Sequence, residues 1–222
     1  MNASVEQLAG SLTALLKDRG TLIGGPLWAH LLRLLATGRP VGADELAAAT
    51  GRTEAEVREA LTAMPDTEYD ENGRIVGSGL TQRPTPHRFE TGGRQLYTWC
   101  ALDTLAFPTL LGTTAHVESP CRATGAPIRL TVTPDGVTDL DPAEAVVSIV
   151  TPDDMTSVRT AFCNEVHFFA SAGAAADWLS DRPGMSVLPV ADAFRLGRPL
   201  IEAILGGAGP AGGAGTCPTP AC

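Results

Sequence analysis

Cys100 and Asp103 stand three residues apart in the run YTWCALDTLAFPTLLG, residues 97–112, which is otherwise mostly apolar. Burying an unpaired charge is costly, so a carboxylate in such a run needs a partner or a task. If CALDTLAF is helical, the pair lies on one face with β-carbons about 5–6 Å apart, close enough to touch or to share a ligand. A thiol at the start of that helix faces the positive end of its dipole, which predicts a lowered pKa and an available thiolate. The carboxylate can then accept the thiol proton and return it as a general acid. The spacing fits a structural pair equally well, with Cys100 packed as a small core hydrophobe and Asp103 held by an arginine such as Arg94. C-x-x-D alone does not decide between these readings.

A second thiol sharpens the question. Cys163, in AFCNEVHFFAS, precedes a strongly apolar strand and can approach Cys100 only through tertiary folding. Two thiols converging on one carboxylate would make a soft-metal site of low coordination number, unsuited to hard ions and incomplete for zinc. Taken singly, Cys163 also fits a core position.

The elements that must position these residues divide the chain. Leu8, Leu12, Leu15 and Leu16 have the spacing of an amphipathic N-terminal helix. Three helices follow in PLWAHLLRLLATG, GADELAAAT and RTEAEVREALTAM, with Asp44 and Thr53 as expected N-caps and Glu56 completing a capping box with Thr53. Asn72-Gly73 predicts a tight turn between short strands, which makes the N-terminal part a winged-helix-like module. Its last helix carries Glu54, Glu56 and Glu59 against Arg58, the wrong charge for a recognition helix. A structural or substrate-covering role is expected instead.

From residue 88 the pattern is mainly β. A Gly-Gly turn leads to the strand RQLYTW, which runs into the helix CALDTLAF, expected to stop at Pro108. TAHVES, PIRLTVT, AEAVVSIV and EVHFFAS read as strands, with a turn at Pro134-Asp135-Gly136. AAADWLS and VADAFRLGRPLIEAIL read as late helices. The expected class is therefore α+β: a winged-helix-like module (1–87) packed on a mainly antiparallel β core with flanking helices (88–206), then a disordered Gly/Pro/Ala-rich tail (207–222).

Composition narrows the partners. With 25 acidic against 16 basic residues and a formal charge of -9, neither a nucleic-acid backbone nor an anionic membrane is expected as a partner. The N-terminus lacks the pattern of a signal peptide, and no apolar stretch has the length of a membrane span, so a cytoplasmic protein is expected. Five widely scattered cysteines, with no C-x-x-C, argue for free thiols and against a disulfide framework or a structural zinc.

GRQLYTWCALDTLAFPTLLG, CRATGAPIRLTV and FCNEVHFFAS together resemble the bacterial organomercurial lyases, also called alkylmercury lyases. The likeness spans roughly residues 25 to 200, including LLRLLATGRPV and TEYDENGRIVGSGLT. It implies an enzyme of mercury detoxification that protonolyses the carbon–mercury bond of alkyl- and arylmercury compounds. The products are a hydrocarbon and Hg²⁺, which stays on the protein until small thiols carry it to a mercuric reductase. It also implies that Cys100 and Cys163 are the active cysteines and Asp103 the catalytic aspartate, all three around product mercury, with no cofactor.

The family often carries a further cysteine where this chain has Asn164, and its cysteine matching Cys121 lies outside the catalytic set. His167 reads as a packed histidine. Tyr97 and Trp99 fit either the core or the lining of an apolar pocket. Cys217 and Cys222, in the tail, are either idle or a relay for product mercury. The alternative class is a mercury- or soft-metal-responsive winged-helix regulator, which would need a basic recognition helix and a dimerisation helix, neither evident. A scavenging protein on the same scaffold would keep the thiols without needing Asp103.

Overall fold

The computed structural model describes residues 25–151 and 157–206, with positions 5, 7, 8, 10, 11 and 14 of a helical N-terminal segment. Leu8 is half-buried against the core. Leu12, Leu15 and Leu16, and the tail from residue 207, lie outside the described residues.

Helix α1 (Pro26–Leu35) opens with proline in its first turn, where the missing N–H leaves no bond unmade. It buries Leu27, Trp28, Leu31, Leu32 and Leu35. Helix α2 (Ala43–Thr50) is capped by Gly42, not by the expected Asp44, which sits in the first turn. The chain enters that helix extended at Gly42, and the Asp44 carboxylate folds back over the glycine, leaving no room for a β-carbon. Helix α3 (Glu54–Thr62) has the expected box: Thr53 N–H donates to Glu56 Oε2 at 2.8 Å, and Glu56 N–H to Thr53 Oγ1 at 3.3 Å. Its outer face exposes Glu54, Glu56 and Glu59, and its Arg58 is paired with Glu54.

Strands β1 (Glu68–Tyr69) and β2 (Ile75–Ser78) flank a turn in which Gly73 takes φ 72. They begin an eight-stranded antiparallel sheet of order β1-β2-β3-β5-β4-β6-β7-β8. Its other strands are β3 (Leu80–Thr81), β4 (His87–Thr91), β5 (Arg94–Thr98), β6 (Ala115–Pro120), β7 (Pro127–Val132) and β8 (Val137–Asp141). One sheet thus runs from the wing of the helical module into the β core. Gly92 and Gly93 join β4 to β5 with φ 56 and 70, the left-handed pair that a two-residue hairpin needs. Strand β8 is absent from the sequence reading because, at the sheet edge, none of its residues is fully buried.

A second, three-stranded sheet has β9 (Val146–Ile149) between β10 (Phe168–Phe169) and β11 (Ser186–Pro189). Strand β11 also goes beyond the sequence reading. Helix α4 (Ala101–Leu111) corrects it: Pro108 lies inside the helix, which ends at Gly112 in the left-handed region. An internal proline costs about 3 kcal/mol, but Phe107 before it and Leu110 beyond it are buried in the core, and their burial outweighs that cost. Helix α6 (Ala172–Ser180) is capped by the Ser171 hydroxyl. Helix α7 (Val190–Gly206) crosses α4 where a β-carbon on Gly197 would stand 3.2 Å from that of Ala106.

Candidate active site

Cys100 is the residue between β5 and α4. Its backbone is still extended, with φ -143 and ψ 170, and it caps the helix in the place usually taken by serine or threonine. Its N–H donates to Asp103 Oδ2 at 3.2 Å, and its sulfur accepts from the Asp103 N–H. The pair is therefore a capping box, a motif that satisfies two backbone donors at once. Cys163 comes from the other side, in a 3₁₀ turn (Cys163–Glu165) after the short helix α5 (Val158–Ala161). Neither short element was expected from the sequence, since four and three residues carry no periodicity. The Ala101 N–H bonds Val166 O at 3.1 Å and ties the two cysteine segments together.

The structure brings Cys100, Asp103 and Cys163 together: both sulfurs and a carboxylate oxygen lie within 4.8 Å of one another. Cys100 is fully buried, Cys163 is 3% exposed, and Asp103 is partly exposed. Above them opens a cavity of about 540 Å³, counted out to solvent, lined in part by Trp28, Met64, Trp99, Val158, Asp103 and Cys163. Cys100 lies behind this surface. Trp99 takes its place in the lining, but Tyr97 does not. Trp28 and Met64, from the helical module, were not singled out from sequence, because a buried apolar residue on a helix looks the same whether it faces a core or a cavity.

Burial sets the protonation states. It lifts the Asp103 carboxyl to about 7 from an ordinary 3.8, against the opposing hydrogen bonds from the Cys100 side chain and from the Cys100 and Trp99 N–H groups. The Cys100 thiol is held well above its usual range, first by burial, then by its hydrogen bond with Cys163 and the Asp103 charge. This corrects the expectation that the helix dipole would lower it: desolvation wins. For Cys163 the hydrogen bond with Cys100 is the largest influence and pulls the pKa down, but burial and the charges of Asp103 and Asp66 together leave it raised. Both thiols thus rest in protonated form.

The remaining cysteines and histidines lie elsewhere. Cys121 is buried, its sulfur accepting the Ala170 N–H at 3.3 Å. His167 stacks on buried His87 with ring centroids 6.4 Å apart, and His87 Nδ1 meets Ser119 Oγ at 2.9 Å. Asn164 is exposed in the 3₁₀ turn. Cys217 and Cys222 lie outside the described residues.

A helix-turn-helix module is laid against an antiparallel β core, with two thiols and a proton-bearing acid below an apolar cavity, an arrangement chemically able to hold a soft metal and to move a proton. The profile of the alkylmercury lyase family matches residues 80–202, and that of the helix-turn-helix domain of alkylmercury lyase matches residues 5–79. The chain is 62% identical over 213 residues to an alkylmercury lyase of Streptomyces lividans, covering 96% of this chain and 99% of that one. It is 59% identical to one of Staphylococcus epidermidis, over 78% of this chain and 81% of the other. With one of Pseudomonas putida it shares 51% identity, over 81% and 84% of the two chains. The chain belongs to the alkylmercury lyase family. Its fold is similar to the mercury-bound form of MerB2, with a TM-score of 0.75 and 24% identity over 90% of this chain and 99% of that one.

Proposed function

We propose that the chain is an organomercurial lyase of mercury detoxification, cleaving the carbon–mercury bond of alkyl- and arylmercury compounds by protonolysis. Cys100, Cys163 and Asp103 are its catalytic residues and hold the product Hg²⁺. The observation that carries the reading is the convergence of two protonated thiols and a carboxyl of pKa about 7 within 4.8 Å. Family membership sets the substrate class.

The chemistry balances without redox change. One thiol replaces the labile ligand X of R–Hg–X, forming Cys–S–Hg–R and releasing HX. Asp103 takes the proton of the other thiol, and the resulting thiolate adds to mercury, for which soft sulfur is the preferred ligand. Electron density then moves onto carbon. Asp103 delivers the proton as the carbon–mercury bond breaks, its electron pair going to the new C–H bond, and mercury stays at +2. R–H leaves, and Hg²⁺ remains between two thiolates.

A carboxyl that titrates near neutrality suits both halves of this cycle, since it can take a proton and give it back at the working pH. The fixed box geometry supplies the proximity. Two small cellular thiols then exchange for Cys100 and Cys163, take Hg²⁺ toward a mercuric reductase and restore both protein thiols. Cys217 and Cys222 would serve as a relay on that route. Every group the reaction needs is in the three side chains, so the reading requires no cofactor, and it places the enzyme in the cytoplasm with its thiol pool. Among the described residues, no helix is long and apolar enough to cross a membrane.

Incubation with phenylmercury in excess thiol tests the reading. Catalytic release of benzene is expected, and a protein that binds phenylmercury but releases none would overturn it.

A further inference from the structure

The segment that delivers Cys163 is fastened to the helical module. Asp66, in the loop between α3 and β1, accepts the Ser157 hydroxyl at Oδ1 (2.7 Å) and the Arg159 N–H at Oδ2 (3.1 Å), contacts that span 91 and 93 residues of chain. Ser157 in turn caps α5 by accepting the Thr160 N–H. Two residues on, buried Glu68 pairs with the Arg159 guanidinium and accepts the Thr81 hydroxyl at 2.5 Å. That guanidinium lies 4.8 Å over the Trp99 ring. Gly77 leaves the space this requires, since a β-carbon there would stand 2.3 Å from Glu68 Oε2.

The Asp66 and Glu68 contacts hold Ser157 and Arg159 at the start of α5, and α5 leads through Phe162 into the 3₁₀ turn of Cys163. Cys100 and Asp103 are fixed by their own box on α4, so Cys163 is the member of the three whose place depends on a different part of the chain. Asp66 also lines the cavity beside Cys163. We infer that Asp66 is a positioning residue, through which the helix-turn-helix module sets the second thiol against the Cys100–Asp103 pair. The module's role in this protein is then to clamp the thiol segment and roof the site. The inference rests on the proposed lyase reaction for its catalytic consequence, though not for its geometry.

Asp66→Ala releases both contacts, Asp66→Asn keeps an acceptor for one of them, and Ser157→Ala removes the other half of the clamp. Alkylation of each cysteine by iodoacetamide, read peptide by peptide in the mercury-free protein, should show Cys163 reacting about tenfold faster in Asp66→Ala. Cys100 and Cys121 should keep their wild-type rates. Asp66→Asn, which removes the same charge from beside Cys163 but keeps one acceptor, should fall between; an Asp66→Asn protein as fast as Asp66→Ala would assign the effect to the lost charge and overturn the inference. Single-turnover benzene release should slow about tenfold or more in Asp66→Ala, with phenylmercury still bound one to one. A Cys163 rate within twofold of wild type overturns the inference, and so does parallel acceleration of Cys100 and Cys121, which marks general loosening. If Asp66→Ala does not fold, Ser157→Ala decides by the same labelling pattern. A wild-type protein that releases no benzene overturns the lyase reading alone, because the labelling needs no mercury.

Discussion

The Cys100 N–H donates to Asp103 Oδ2 while the Asp103 N–H donates to the Cys100 sulfur, so the acid and the thiol are two halves of one helix cap. The cap fixes their separation before any substrate arrives. Asp103→Asn keeps an oxygen for the Cys100 N–H and should keep the helix start, but it carries no transferable proton. Hydrocarbon release should slow about 10²–10⁴-fold while the mercurial still binds one to one, measured by single-turnover benzene release beside mercury titration. A rate within a few fold of wild type would remove Asp103 as the acid.

The same box separates stability from catalysis at Cys100. Cys100→Ser places a stronger capping acceptor on α4, so its unfolding midpoint in denaturant should equal or exceed that of the wild type. Cys100→Ala loses the cap and should cost about 1 kcal/mol. Both should lose hydrocarbon release, because neither offers a second sulfur to mercury. A Cys100→Ser protein that stayed active would show that one thiol suffices.

Much of this was legible in the sequence, for identifiable reasons. The Thr53–Glu56 box, the Asn72-Gly73 turn and the Gly92-Gly93 hairpin are local devices, fixed by residues a few places apart. The spacing of Cys100 and Asp103 was likewise local. What the sequence could not give was set by burial. Pro108 stays helical because the core holds its neighbours, and β8 at the sheet edge buries too little to alternate. The Cys100 thiol is raised, not lowered, because desolvation exceeds a dipole that spacing alone brings to mind. The clamp from Asp66 to Ser157 joins residues 91 apart, and no short-range pattern announces it.

Raising the Asp103 pKa has a consequence for stability. The folded value of about 7 lies above the ordinary 3.8, so between those values the native state keeps a proton that the unfolded chain has lost. The stabilisation is full below about pH 4 and disappears as the pH rises through 7, with a slope of at most ~1.4 kcal/mol per pH unit. Asp103→Asn should therefore gain on the wild type between pH 5 and pH 8 in urea unfolding. A constant difference across that range would show that the carboxyl titrates as an ordinary one.

Burial works in the opposite direction on the stacked histidines. It holds His87 near 3 and His167 near 4, against an ordinary 6.5, so the unfolded chain binds protons that the native state refuses. The stability these neutral rings allow is full above pH 6.5 and is lost as the pH falls toward 4, again at up to ~1.4 kcal/mol per unit for each. His87→Gln should flatten the loss of stability between pH 6.5 and pH 4.5, whatever its effect at pH 8. Equal acid slopes for the two proteins would contradict a buried, neutral His87.

Gly79 lets two rings close up behind the cavity wall. It adopts φ 89, and a β-carbon there would stand 2.9 Å from Phe107 Cζ and 3.4 Å from Trp28 Cζ2. Those two rings meet edge to face at 5.8 Å, and Trp28 is anchored through its Nε1–H to Ser78 O at 2.9 Å. An alanine is strained at that φ and pushes the two rings apart, so Gly79→Ala should cost about 1–3 kcal/mol in unfolding. Because Trp28 and Gly79 both line the cavity, the displaced wall narrows the space for the organic group without touching the thiols. The ratio of kcat/KM for phenylmercury to that for methylmercury should fall in this variant, and an unchanged ratio would show that the aryl group lies against another part of the wall.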